Sequence, residues 1–379
     1  MKIAIGGIVA SALCLAAQAQ VVSPQLFNGL EWRLIGPFRG GRAVAVAGAP
    51  AGGATFYFGA VDGGIWKTED AGTVWTPIFD GQPVASIGAL AVAPSDPNII
   101  YAGTGESDIR SDLASGAGVY KSSDAGKTWH YIGLKETRQI SRIVIDPHDA
   151  NIVLVAALGH AYAPNPERGV YRSSDGGGTW DKVLDHGPEV GAADLVIAVR
   201  KPNLVFAAMW NAHRPPWSVY GPIEGTGSGL YRSLDNGKTW TQLTGHGLPE
   251  GQWGRSGVAV SPDGQRVYTL IDTKEGGLFR SDDGGDSWTR VNHDARLTSR
   301  GWYFSSVTID PNDPDVAYVP NVAFYKLSNG GKDLSIVRGG PGGDDYHQVW
   351  IDPADSRHMV LGTDQGTTVT LNGGTTWSS

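Results

Sequence analysis

Ser122-Ser123-Asp124-Ala125-Gly126-Lys127-Thr128-Trp129 decides the fold, because the segment recurs along the chain. Ser173 to Trp180, Ser233 to Trp240 and Ser281 to Trp288 repeat its pattern, S-x-D-x-G-x-[T/S]-W, at intervals of about fifty residues. Three weaker copies complete a set of seven: Thr68 to Trp75, Leu327 to Leu334 with only Asn329 and Gly331 kept, and Thr370 to Trp377 with Asn372 in the Asp place.

Each copy follows a short apolar or aromatic run ending in a basic residue, such as Gly169-Val170-Tyr171-Arg172, and precedes a second short run. That is strand, turn, strand. The Asp accepts backbone N–H groups inside the turn, the Gly supplies positive φ, and the Trp reaches back into apolar space between units. A carboxylate consumed by its own turn is not free for catalysis, so none of these Asp residues is a catalytic candidate.

Two further strands precede each hairpin. Ile140-Ser141-Arg142-Ile143-Val144-Ile145 runs apolar and stops at Asp146-Pro147, and a second run follows from Ile152 to Ala157. The plan returns at Ala89–Val92, Val258–Val260, Val307–Ile309 and Val349–Ile351, each stopped by a proline. Four strands per unit, repeated radially, predict an all-β, seven-bladed β-propeller spanning residues 30–379. Trp75, Trp129, Trp180, Trp240 and Trp288 are expected to be buried at equivalent positions. Near the N-terminus, Trp32-Arg33-Leu34-Ile35-Gly36 matches the post-hairpin run Trp129-His130-Tyr131-Ile132-Gly133. Leu30 to Ile35 is therefore expected to close the ring as the outer strand of the seventh blade, which otherwise bares an edge. That blade stops two residues after Trp377, which reads as a truncated C-terminus.

The composition agrees with one large all-β body. Among 379 residues, Gly accounts for 54 and Pro for 22, yet 41% are hydrophobic and 13 are Trp, which excludes a disordered chain. Residues 1–19 carry Lys2, an apolar stretch and the small-x-small site Ala17-Gln18-Ala19, so a signal peptide cleaved after Ala19 and a secreted or periplasmic protein without a retained span are expected. The single cysteine, Cys14, lies in that segment, which leaves packing and hydrogen bonds to hold the fold. The formal charge of −8, or −9 once the one lysine of that segment is removed, argues against nucleic acid as a partner. No metal-ligand spacing, phosphate loop or nucleophile elbow occurs, so no metal and no cofactor is expected, and the chain is read as a monomer.

In an antiparallel four-stranded blade, hairpins and Asp-Pro turns share one face. The turns between second and third strands, and the connections between blades, share the other. Function belongs on this second face, where loop length varies. It carries Arg39, Arg42, Glu106 with Asp108, Arg138, His160, Trp210, Arg255, Arg300, Trp302 beside Tyr303, Asp344-Asp345 and His347. Aromatic rings that stack on a ligand and charged groups that orient it suit a glycan or an extended polypeptide.

The hairpin motif and the opening Trp32 to Arg42 resemble the Asp-box (BNR) superfamily over residues 30–377. That superfamily includes sialidases, two-propeller xyloglucanases, the sortilin luminal domain and photosystem II assembly factors. The chain looks most like long bacterial proteins, labelled glycosyl hydrolase or sortilin-like, that begin Trp-Arg-x-Ile-Gly-Pro-x-Arg-Gly-Gly-Arg and continue into further domains. The motif fixes fold better than activity. A sialidase would need an Arg-Ile-Pro element where Arg39-Gly40-Gly41 stands, and that activity is not expected. Xyloglucanases carry an Asp in a first-blade Thr-Asp-x-Gly-Gly segment, which Ala60-Val61-Asp62-Gly63-Gly64 resembles. Their second carboxylate comes from a second propeller, absent from this sequence. Asp364, in Gly362-Thr363-Asp364-Gln365-Gly366, holds the equivalent turn of the adjoining seventh blade and is the candidate partner. Two readings follow: a propeller that binds glycan or polypeptide on its loop face, taken as the main expectation, and a glycoside hydrolase using Asp62 with Asp364, or with the Asp344/Asp345 pair.

Overall fold

A computed structural model describes residues 41–49, 53–110, 112–213, 224–339 and 345–378, with isolated positions 23, 25 and 29. The expected signal segment, the closing strand Leu30 to Ile35, Arg39 and Asp344 lie outside the described residues.

Seven antiparallel sheets form seven blades. Six have four strands in sequence order, and the seventh has three among the described residues. The inner strands are Ala43–Gly48, Ile87–Ala93, Ile140–Ile145, Val190–Ile197, Ser256–Val260, Thr308–Ile309 and Tyr346–Ile351, for blades 1 to 7. The inner strand of blade 1 packs on blade 2 and on the inner and second strands of blade 7, Tyr346–Ile351 and Met359–Thr363, so the ring closes. In blade 7, Ser378 donates its N–H to Val369 at 2.8 Å, which starts the fourth position beside the third strand, Gly366–Thr370. Among the described residues no helix is long and apolar enough to cross a membrane.

The repeated hairpins are held as the chemistry of their residues requires. In blade 3 the Ser173 hydroxyl donates to Asp175 at 2.7 Å and accepts from the Gly177 N–H at 2.8 Å, while Asp175 accepts from the Thr179 N–H and hydroxyl at 2.9 and 2.8 Å. Those bonds hold the carboxyl of Asp175 down at about 2, with the backbone bond from Thr179 first among them. The same net recurs at Ser122, Ser233 and Ser281.

The indoles differ from expectation in depth. Trp129 and Trp288 are buried, whereas Trp75, Trp180 and Trp240 are only half-buried. The reason is their place near the outer edge of each blade: one ring face packs on the neighbouring blade and the other meets solvent. Two of them also cross the seam, since Trp129 Nε1 donates to the carbonyl of Ile78 and Trp180 Nε1 to that of Ile132.

The inner strands leave an axial channel. Toward the hairpin face it opens into a cavity of about 330 Å³ lined by Val46, Leu90, Val144, Val260, Ile309 and Ile351. Toward the loop face it narrows to about 30 Å³ among Asp108, Arg142, Asp194, Arg255 and His347.

Candidate functional site

The connection between the second and third strands of blade 2, which run Asp96–Thr104 and Val119–Ser122, crosses the loop-face mouth of the channel. Ile109, fully buried, anchors it against Leu158, Ala161, Ala193, Trp210 and Ala212 of blades 3 and 4. This apolar seat carries Glu106 and Asp108 inward to meet residues from blades 1, 5 and 7.

Three linked contacts result. Arg42, just before blade 1, pairs with Glu106 at 2.5 Å and donates to the Tyr303 hydroxyl at 3.2 Å. Arg255, just before blade 5, pairs with Asp108 at 2.9 Å and donates to the Tyr303 carbonyl at 2.9 Å. His347, in the inner strand of blade 7, places Nδ1 3.1 Å from Asp108 and Nε2 2.8 Å from Asp364. The Tyr303 ring stands edge-on to His347, with centroids 5.4 Å apart.

Burial and pairing set these groups' protonation. Burial pushes the Glu106 carboxyl up to about 8 even beside Arg42, with the Asp108 charge adding to the rise. Burial would raise Asp108 as well, but Arg255 and His347 overcome it and hold the carboxyl down at about 2. Burial would lower His347, and the nearby Asp108 and Asp364 carboxylates outweigh it, so the imidazole lies above its ordinary value. Away from this cluster, in the second-to-third-strand turn of blade 5, burial pushes Asp272 up to about 7, with Glu224 adding to the rise.

The sequence-derived candidates divide accordingly. Arg42, Glu106, Arg255 and His347 meet in one cluster with Asp364, which is 40% exposed at its rim. Trp210 lies wholly inside and offers no face to a ligand; the Arg255 guanidinium sits 6.0 Å from its ring centroid. Glu106 likewise has no exposed surface. Arg300 is held apart, bonded through both terminal nitrogens to Asp345 at 2.8 and 3.1 Å and placed over the Phe304 ring. Arg138 pairs with Glu136, and Trp302 packs beside Tyr303. His160 accepts the Tyr162 N–H through Nδ1. Asp62 is exposed, and its carboxylate has no partner among the described residues. Its backbone is fixed on both sides, since Val61 donates to Arg42 at 2.9 Å and Gly64 to Ala85 at 2.8 Å. Asp108 and Tyr303, named in the sequence only beside Glu106 and Trp302, are central members. Their only signal was membership of a long loop and of an aromatic run.

The fold and site define a seven-bladed propeller with a charged, loop-plugged mouth. No family model matches the sequence. The chain is 28% identical over 228 residues to a xyloglucanase of Paenibacillus sp., covering 55% of this chain and 21% of that protein. It is 24% identical over 312 residues to a xyloglucanase of Hypocrea jecorina, covering 76% of this chain and 34% of that protein. The chain thus spans about a third or less of the length of these relatives. Among solved structures, the GH74 xyloglucanase of Xanthomonas campestris superposes with a TM-score of 0.65 at 20% identity, over 90% of this chain and 54% of that one. A YCF48 structure bound to D1 peptide superposes with a TM-score of 0.58 at 12% identity, over 90% of this chain and 97% of that one. At such identities the superpositions establish the propeller fold.

Proposed function

We propose that this propeller belongs to a secreted or periplasmic glycoside hydrolase and takes a polysaccharide of the xyloglucan or β-glucan type across its loop face, with Asp62 as one catalytic carboxyl. One observation carries the reading. Asp62 is an exposed carboxylate on a fixed turn, whereas the hairpin Asp residues and the channel carboxylates are consumed by partners. The similarity to xyloglucanases supports this choice over binding alone. Hydrolysis needs a second carboxyl about 5 to 9.5 Å away, and Asp364, on the matching turn of the adjoining blade, is the partner the reading uses. The test is release of reducing ends from xyloglucan or β-glucan oligosaccharides. Asp62→Asn is expected to abolish release while the protein stays folded; release that survives removes Asp62 from the mechanism.

A second reading is binding of a glycan or extended polypeptide without hydrolysis. It is favoured by the pairing of Arg42, Glu106, Asp108, Arg255 and His347 among themselves, which leaves the mouth a charged but chemically occupied surface. Calorimetric binding of a xyloglucan oligosaccharide by a parent chain that releases no reducing ends would favour it.

A further inference from the structure

His347 joins the buried channel to the exposed rim. Its side chain is 1% exposed, and each ring nitrogen faces a carboxylate: Nδ1 lies 3.1 Å from Asp108 and Nε2 2.8 Å from Asp364. An unprotonated imidazole nitrogen presents a lone pair, which repels a carboxylate oxygen. Nε2 is the donor that Asp364 accepts, while Nδ1 is out of line for a hydrogen bond to Asp108. Two carboxylates this close to one buried ring nonetheless favour its charged form, the imidazolium, by direct attraction. The two carboxylates differ in freedom. Asp108 is pinned by Arg255 at 2.9 Å, whereas Asp364 is 40% exposed on its turn. We propose that His347, held as an imidazolium, is the positioning residue that fixes the Asp364 carboxylate on the loop face for a glycan ligand; this rests on the polysaccharide reading above.

The groups facing the ring come from four sides. Asp108 arrives on the blade 2 loop, with Glu106 behind it paired to Arg42. Asp364 comes from the blade 7 turn, and Arg255 reaches from the start of blade 5 through Asp108. Tyr303 and Phe304 cover the ring at 5.4 and 5.8 Å between centroids. When the ring loses its proton, the charge that attracts both carboxylates is gone, and Asp364, exposed and without the arginine that holds Asp108, is the freer of the two to shift. A ligand that depends on Asp364 is then bound more weakly as pH rises through the His347 titration, which the two carboxylates place above the ordinary histidine range.

Two measurements on the full chain test this. With ¹⁵N-histidine labelling, long-range nitrogen–proton spectra are expected to show both His347 ring nitrogens protonated at pH 7, with the midpoint moving to lower pH in Asp364→Asn. A neutral ring at pH 6, or a midpoint unmoved by Asp364→Asn, overturns the proposal. Binding of a xyloglucan oligosaccharide is expected to weaken from pH 6 to pH 9. His347→Gln, which keeps one donor for Asp364 but no titration, should weaken it about tenfold at pH 6 and remove the pH slope. An unchanged slope overturns the positioning role. A parent chain that binds no such oligosaccharide at any pH overturns the polysaccharide reading and the ligand half of this proposal, while the ring-nitrogen spectra decide the His347–Asp364 contact separately.

Discussion

Trp180 of blade 3 donates its indole N–H to the carbonyl oxygen of Ile132 in the connection after blade 2, at 2.8 Å. The bond ties a repeat to the one before it, and Trp129 makes the same contact with Ile78 at 2.8 Å. Trp240, Trp288 and Trp377 instead donate to the Gly of their own hairpin. The indole thus bonds across the seam in blades 2 and 3 but within its own hairpin in blades 4, 5 and 7. The seams from blade 3 to blade 6 are bridged by arginines, Arg172 to Asn236, Arg232 to Gly284 and Arg280 to Gly330.

Replacing these indoles should cost stability in proportion to their burial. Trp129→Ala, at a buried position, is expected to lose about 3–5 kcal/mol, and Trp180→Ala, half-buried, about 2–3 kcal/mol. Denaturant midpoints with an unchanged m-value check both. Equal losses would contradict the difference in depth.

The hairpin glycines meet the preceding blade. A Cβ on Gly237, whose φ is +77°, would lie 2.2 Å from Leu154 Cδ2. Gly237→Ala therefore combines left-handed backbone strain with a clash, and a loss of about 2 kcal/mol or more is expected. Gly187→Ala shares a positive φ but has open space around it, so calorimetric melting should show the smaller loss there.

The Asp108–Arg255 pair is largely buried on both sides, with 11% and 10% of the side chains exposed. Arg255→Met leaves a buried carboxylate beside His347 without its strongest partner, at a cost of about 3–5 kcal/mol. Adding Asp108→Asn should recover part of that loss. A double-mutant cycle with no coupling would show that the pair is not a unit.

Stability should bend at both ends of the pH range. Asp108 is held at about 2 when folded, so its contribution is complete above the ordinary carboxyl value and is lost as pH falls toward 2. Glu106 is raised to about 8, so the folded state holds its proton more tightly; that contribution is complete below the ordinary value near 4.5 and is lost as pH rises through 8. His347, also raised, acts in the same direction at the alkaline end. Melting temperatures from pH 5 to 9 should therefore fall for the parent and fall less for Glu106→Gln. A parallel decline in both would exclude Glu106 as a source.

Much of this molecule is written locally. The hairpin motif carries its own hydrogen bonds between residues two to four apart, so the blade count and the separation of the two faces follow from reading it. The proline stops named above mark five of the seven inner strands, and Pro50 follows a sixth, Ala43–Gly48. Val190–Ile197 of blade 4 lacked that stop, since the strand gives way to Arg200-Lys201-Pro202, and was not distinguished from its surroundings. Indole depth was not legible, because it depends on how far each neighbouring blade overlaps the ring.

What the sequence by itself determined is the repeated unit, its hairpin clasp and the face on which Arg42, Glu106, Arg255, His347 and Asp364 must lie, because these depend on short-range periodicity and turn chemistry. Which of them touch was decided only by the tertiary structure. Arg255 reaches the carbonyl of Ser107, 148 positions away, because ring closure brings distant blades around one axis and because Ile109 seats the blade 2 loop across it. Loop residues carry no periodic signal of their path. Glu106 and Asp108 therefore read as surface charges in the sequence and stand as buried partners in the fold.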